Sequence, residues 1–242
     1  MLLIRGSVPG SGPAFDVALA GHLLRCAGRE GPAAVLRVSR PARPTVAFSR
    51  RDTLAPGFPA AAQAARSAGF EPVVRAPGGR AVAFTGCALV LDHISTDADA
   101  LSGLDARFRD FGALWAAALQ TLGIDARVGE VPGEYCPGAH SVNAGGTAKL
   151  VGTAQRVVKG AWLFSAVAVL DDAAVLAPLL TDIYRHLDMP FDSGSVGAIG
   201  HPVEQVEAAV LAQYAALFEL VPGELDAAVL DGVGLADHRV PA

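Results

Sequence analysis

The segment Gly133-Glu134-Tyr135-Cys136-Pro137-Gly138 holds the thiol best placed for nucleophilic chemistry. Pro137 biases Cys136 away from helical geometry toward an extended one. The flanking glycines put the sulfur on a loop rather than in a core. Such a cysteine is either an unreactive, partly exposed thiol or, beside a basic group, an activated nucleophile. A basic group follows in Gly145-Gly146-Thr147-Ala148-Lys149-Leu150-Val151-Gly152-Thr153-Ala154-Gln155-Arg156, which reads as a turn and then a strand. Lys149 projects near its start, and Gly152 leaves room for a ligand. A lone lysine at a strand edge is commonly a solvated gatekeeper. Set beside a thiol, its ammonium would polarise an acyl carbonyl.

A third segment, Arg75-Ala76-Pro77-Gly78-Gly79-Arg80-Ala81-Val82, puts two glycines between strands. There backbone N–H groups can approach a ligand closely, with arginines flanking an anionic or carbonyl group. The plain reading is a β-turn with solvated arginines. The spacing fits neither a Walker loop nor a dinucleotide fingerprint. No G-x-S-x-G elbow appears, and none of His22, His93, His140, His186, His201 or His238 sits in a recognisable triad motif. His22 falls on the apolar side of a helix and reads as a core histidine. His140, four residues from Cys136, either assists it or is a solvated loop residue.

The elements that must position these residues follow from periodicity. Phe15, Ala18, Leu19, Leu23 and Cys26 recur at helical spacing behind Pro13, which predicts a buried Cys26. Short strands are expected at Ala34 to Val38 and Thr45 to Phe48, a small helix over Ala60 to Ala68, then strands at Pro72 to Arg75, Ala81 to Phe84 and Cys87 to Leu91. Cys87 reads as structural. A long helix carries Phe108, Phe111, Leu114, Trp115, Leu119 and Leu122, with Gly123 as its stop. Strands surround Lys149 and span Trp162 to Val167. Val175, Leu176, Leu179, Leu180, Ile183, Tyr184 and Leu187 form a further helical stripe whose start Pro178 should kink or trim. The last helix runs from Val203 to Leu220. The irregular alternation favours α+β architecture, a mixed sheet flanked by helices, over a doubly wound parallel sheet.

The chain has 242 residues, 52% of them hydrophobic and 18% charged, with a net charge of −5. One domain over 1–242 is expected, with ample material for a core. The charge argues against nucleic acid as the main partner. Three scattered cysteines offer no zinc site and suit a reducing compartment. No apolar run is long enough for a secretory leader or a membrane span. The expectation is a soluble, cytoplasmic protein, monomeric because no heptad appears.

Taken in order, these segments resemble the lipoate–protein ligase and octanoyltransferase family. Arg75 to Val82 is similar to its glycine-rich acyl-binding loop. Lys149 to Gln155 is similar to its lysine motif, and Cys136-Pro137-Gly138 to the loop bearing the acyl-accepting cysteine in the transferase branches. Phe15 to Leu19, Leu36 to Val38, Arg43 to Val46 and Ser195 to Ile199 fit as well. The resemblance covers about Phe15 to Val210. It departs at Phe164-Ser165, where many relatives carry histidine and glycine, and at Ala76-Pro77.

The resemblance implies a single-domain, biotin/lipoate-ligase-like fold with a largely antiparallel sheet. It implies transfer of an octanoyl or lipoyl group through a Cys136 thioester onto a lysine of a lipoyl carrier domain, the glycine cleavage H protein or a 2-oxoacid dehydrogenase E2. An acyl carrier protein is a possible donor. Cys136 and Lys149 would be catalytic, with substrate held by Arg75, Gly78, Gly79, Arg80, Ala81, Gly152, Thr153 and Gln155. Arg75, Arg80 and Arg156 would help dock an acidic carrier. No metal or cofactor is implied. The alternatives are an ATP-dependent ligase, with ATP and Mg²⁺ as substrates and no need of the cysteine, and a non-catalytic acyl-binding homologue. The covalent scheme requires the sulfur and the ammonium to lie within about 10 Å of one another.

Overall fold

Alternation of side chains along three central strands sets the architecture, because each strand buries both of its faces. In β10 (Ala161–Val169), Trp162, Phe164, Ala166 and Ala168 join one core cluster. The alternate residues Leu163 and Val169 join two others, as period-two geometry requires. The computed structural model describes residues 1–27, 29 and 32–241. Around β10 lie β1 (Leu2–Arg5), β2 (Ala34–Ser39), β6 (Ala88–Thr96), β7 (Ala126–Val128), β8 (Val142–Ala144), β9 (Ala148–Val158) and β11 (Val221–Pro222). They form one sheet in the order β11-β1-β2-β6-β10-β9-β8-β7. The β11-β1-β2 edge is parallel and the rest antiparallel. The fold is α+β, with a mixed, largely antiparallel sheet flanked by helices.

A second sheet, unforeseen from the sequence, orders β4 (Glu71–Arg75), β3 (Thr45–Ser49) and β5 (Val82–Phe84). Helices α2 (Phe58–Ser67) and α4 (Ala173–His186) pack with it. On the large sheet, α3 (Leu104–Gln120) and α5 (Val203–Ala215) cover one face, and α1 (Pro13–Ala27) covers part of the other. A short α6 (Ala227–Asp231) follows. No helix among the described residues is long and apolar enough to cross a membrane.

Several sequence expectations change in detail. Pro178 lies inside α4 rather than trimming it. The carbonyl it leaves without a donor belongs to Ala174, on the exposed face, where water can serve it. Val175 is exposed on that same face. α5 stops at Ala215, and a turn then delivers β11 to the edge beside β1. Cys87 is exposed, because β6 begins one residue later. Cys26 is only half-buried, and its sulfur sits 3.4 Å from Nε2 of a half-buried His22. His22 packs beside Gly232 at the end of α6 instead of entering the main core.

His93 is the most deeply buried histidine. It is 1% exposed and enclosed by the rings of Phe111, Trp162, Tyr214 and Phe218 at centroid distances of 4.6 to 5.6 Å. Its Nδ1 has no hydrogen-bond partner among the described residues. Burial pushes its pKa down to about 3. The unfolded chain therefore binds a proton below pH 6.5 that the folded chain refuses, so stability falls as pH falls through that window. The expected loss is about 1.4 kcal/mol per pH unit, hence about 2 kcal/mol by pH 5. His93→Phe should flatten the dependence of melting temperature on pH between 7 and 5. An unchanged slope would show that His93 is not its source.

Candidate active site

The loop between β7 and β8 is organised around a buried carboxylate. Glu134 is 2% exposed, and its Oε1 accepts from the Gly138 N–H at 2.9 Å and from Ser141 Oγ at 2.8 Å. Its Oε2 lies 3.6 Å from Lys149 Nζ. Lys149 enters on β9, which is bordered by β8 and β10 rather than lying at an edge, and it is 1% exposed. The gatekeeper reading therefore fails. The ammonium donates to the carbonyls of Tyr135 and Cys136, both at 2.9 Å, and lies 4.7 Å from the centroid of the Tyr135 ring. Burial lowers the Lys149 pKa, while Cys136 and Glu134 draw it back up. The Ser195 to Ile199 segment fixes the strand behind it, with the Gly197 N–H donating to the Lys149 carbonyl at 3.0 Å.

Cys136 is not extended. Its φ is +45°, a conformation that costs a non-glycine residue about 1–3 kcal/mol. Contacts on both sides of the residue impose it. Its N–H donates to Tyr184 Oη at 2.5 Å, and that hydroxyl donates to the Ala81 carbonyl at 3.0 Å. Its carbonyl is held by Lys149. The sulfur faces the glycine turn, receiving the Arg80 N–H at 3.2 Å and Arg75 Nη2 at 3.5 Å. Because Sγ and O of one residue lie within about 5 Å of each other, the ammonium is within about 8 Å of the sulfur. That is inside the reach the covalent scheme requires.

Gly79, with φ of +100°, is the closest fit in the site. A Cβ there would sit 2.6 Å from Cys136 Sγ and 2.7 Å from Arg75 Nη2. Gly79→Ala should therefore displace the thiol and slow any reaction at that sulfur by about 100-fold. The same change at Gly78, where a Cβ meets nothing within 4 Å, should be mild. Equal rates in the two variants would remove this role for Gly79.

The remaining candidates divide. Ala81 is fully buried and serves through its carbonyl. Gly152 and Thr153 line a cavity with Cys136, and a Cβ on Gly152 would press to 3.3 Å from Lys149 Cε. Arg80 pairs with buried Asp52 at 3.3 Å. Gln155 ties β9 to α3 through Arg107 Nε and the Leu104 carbonyl, both at 2.9 Å, and only borders the outer groove. Arg75 is committed to the sulfur and the Arg80 carbonyl. Arg50, Arg51, Arg80 and Arg156 border an open groove beside the glycine turn. The His140 ring stacks on Phe108 at 5.2 Å. Tyr184 escaped the sequence reading, because its helical stripe marks it only as core.

From Cys136 a cavity runs inward past Arg75, Val82, Ser165 and Val167. It continues into a larger one of about 690 Å³, counting space open to solvent. Val17, Ala20, Ala47 and Phe84 give the larger cavity apolar walls. A loop thiol fixed by two donors at the mouth of an apolar slot can accept and hold a greasy acyl group.

Residues 12–190 match the family described as Lipoyl protein ligase A/B catalytic domain. The octanoyl-GcvH:protein N-octanoyltransferase of Exiguobacterium sp. (strain ATCC BAA-1283 / AT1b) is 29% identical over 160 residues. That match spans 66% of this chain and 56% of the relative, so the chain accounts for little more than half of the relative's length. Among solved structures, a bipartite lipoate protein ligase from Thermoplasma acidophilum superposes with TM-score 0.71 at 18% identity, over 96% of this chain and 89% of that one. LipL1 of P. falciparum in complex with lipoate superposes with TM-score 0.62 at 11% identity, over 89% and 59%. These two likenesses concern the fold alone.

Proposed function

We propose that this chain, which belongs to the lipoyl protein ligase A/B catalytic-domain family, is a protein acyltransferase that carries a medium-chain acyl group on Cys136. The observation that carries this reading is the sulfur at the slot mouth, met by the Arg80 N–H and Arg75, with its own carbonyl held by Lys149. In the first step the thiolate attacks the carbonyl of an octanoyl or lipoyl donor. The donor's leaving group departs with the proton that the Cys136 thiol gave up, and a thioester remains. In the second, the neutral amine of a carrier-domain lysine attacks the thioester, forms the amide and returns the thiol. Lys149 and the backbone donors of the Gly78 to Ala81 arch stabilise the oxygen that gains charge in each step. An acyl carbonyl reaches Lys149 by replacing one of the loop carbonyls that now accept from it.

The name of the Exiguobacterium relative supports GcvH or a similar lipoyl carrier domain, such as that of an E2 subunit, as donor or acceptor. An acyl carrier protein is the other donor class. Arg50, Arg51 and Arg156, exposed along the groove beside the glycine turn, suit an acidic carrier surface. The reading takes residues 1–242 as one catalytic unit working as a monomer in the cytoplasm. The free thiols of Cys26, Cys87 and Cys136 favour such a reducing compartment. It needs neither ATP nor a metal.

Intact-mass analysis after exposure to octanoyl–acyl carrier protein and octanoyl-GcvH, with and without ATP and Mg²⁺, tests it. The expected result is a hydroxylamine-labile octanoyl mass on Cys136 that forms without ATP and chases onto an acceptor domain. Transfer that requires ATP and leaves no adduct would make the protein a ligase. Binding with neither adduct nor transfer would make it a carrier-binding module.

A further inference from the structure

The floor of the slot is laid out by strand register. One lane is formed by Gly152, Val167 and Val90, which face one another across β9, β10 and β6. The next lane on the same face is Ala154, Ser165, Asp92 and Arg37, one residue from each of β9, β10, β6 and β2. The first lane is apolar until it ends at Ser39 on β2, opposite Val90. The second becomes progressively polar with distance from Cys136. Three strand-to-strand steps from β9 to β2 cover about 14 Å, the scale of a medium-chain acyl group.

The polar end is buried and connected. Arg37 and Asp92 are 3% and 2% exposed. Arg37 donates to Asp92 Oδ2 at 3.1 Å, to Ser39 Oγ at 3.3 Å and to Asp16 Oδ1 at 3.5 Å. It also donates to the Asp16 carbonyl at 3.0 Å. Ser165 Oγ donates to Asp92 Oδ1 at 2.7 Å. All five side chains border the larger cavity. A slot meant only for a hydrocarbon tail gains nothing from a buried ion cluster, which costs desolvation that apolar residues of the same size would avoid. The cluster also has surplus acceptors. Two carboxylates share one guanidinium whose four Nη hydrogens are already engaged, while the carboxylate oxygens and the Ser165 hydroxyl keep free lone pairs. Burial raises both Asp16 and Asp92, with Arg37 opposing. A ligand group that donates hydrogen bonds complements this end, and a terminal carboxylate is repelled.

We propose that the slot selects a medium-chain acyl group bearing a hydroxyl near its distal end, read by Asp92, Asp16 and Ser165, with Arg37 holding the two carboxylates in place. The assignment deepens the acyltransfer reading and rests on it for the chemistry at the mouth, though not for the binding.

The test compares octanoyl with 8-hydroxyoctanoyl N-acetylcysteamine thioesters as acylators of Cys136, and octanamide with 8-hydroxyoctanamide as non-reacting ligands measured by calorimetry. One hydrogen bond to a charged acceptor predicts preference for the hydroxylated member by about 10- to 100-fold in both assays. In the triple variant Asp16→Leu, Arg37→Met and Asp92→Leu, which removes both carboxylates with their shared counterion, the preference should shift to the plain chain. Binding that prefers the hydroxylated amide with no adduct supports the slot assignment while removing the transfer reading. Acylation or binding that is as good or better with the plain octanoyl compound overturns the slot assignment and leaves transfer intact. A preference retained in the triple variant also overturns it.

Discussion

Cys136→Ala should lower acyl transfer on the order of 10⁴-fold or more, the scale seen when a covalent nucleophile is removed, with little change in melting temperature. Among the described residues the sulfur makes only two long hydrogen bonds, from Arg80 N–H and Arg75. Arg75 Nη2 keeps its bond to the Arg80 carbonyl without it. The half-buried setting lets water take the freed Arg80 N–H. The backbone demand at φ +45° is the same for alanine as for cysteine, so the variant inherits the strain and does not add to it. Single-turnover rates with an octanoyl donor, measured beside thermal melting, check both halves. Retained transfer in Cys136→Ala would leave no place for a thioester and would favour an acyl-adenylate route. Lost transfer with a collapsed melting temperature would show that the thiol is a folding element instead.

The order of the chemistry-bearing segments was legible because each falls in a short stretch whose local pattern marks it. Glycines bracket Cys136, a paired-glycine turn follows Arg75, and small and large residues alternate after Lys149. What was not legible depends on partners far away in the chain. The left-handed Cys136 opposes the extended preference that Pro137 confers locally, and it wins because Tyr184, 48 residues on, captures its N–H. Lys149 reads as a surface residue until β8 and the Glu134 loop are known to close over it. Cys87 reads as core because it adjoins an apolar run, yet the strand starts just after it. Arg37 and Asp92 did leave a trace, each being the one Asp, Glu, Lys or Arg of its strand. Only the β2–β6 register sets them opposite one another. Phe164-Ser165 was visible as a departure from the family, and the structure assigns its two halves to opposite faces. Phe164 belongs to the α3-side core and Ser165 to the slot.

Lys149→Met should fail in two separable ways. The ammonium ties the carbonyls of Tyr135 and Cys136 together and faces the Glu134 carboxylate. Removing it leaves a buried negative charge without its counterion. Breaking a buried pair by deleting one partner costs about 3–5 kcal/mol, which for a chain of this size lowers the melting temperature on the order of 10 °C. Transfer should fall by about 10²- to 10³-fold, the usual cost of losing one donor to a developing oxyanion. Adding Glu134→Gln removes the stranded charge while retaining an oxygen for the Gly138 N–H and the Ser141 hydroxyl. The double variant should therefore recover most of the lost stability and little of the transfer. If it recovers both, Lys149 acts only by fixing the Cys136 loop, and the oxyanion must be served by the backbone of the glycine turn alone. If transfer stays low while melting returns, the ammonium itself meets the reacting carbonyl. The loop carbonyls it now holds would then mark where that oxygen binds.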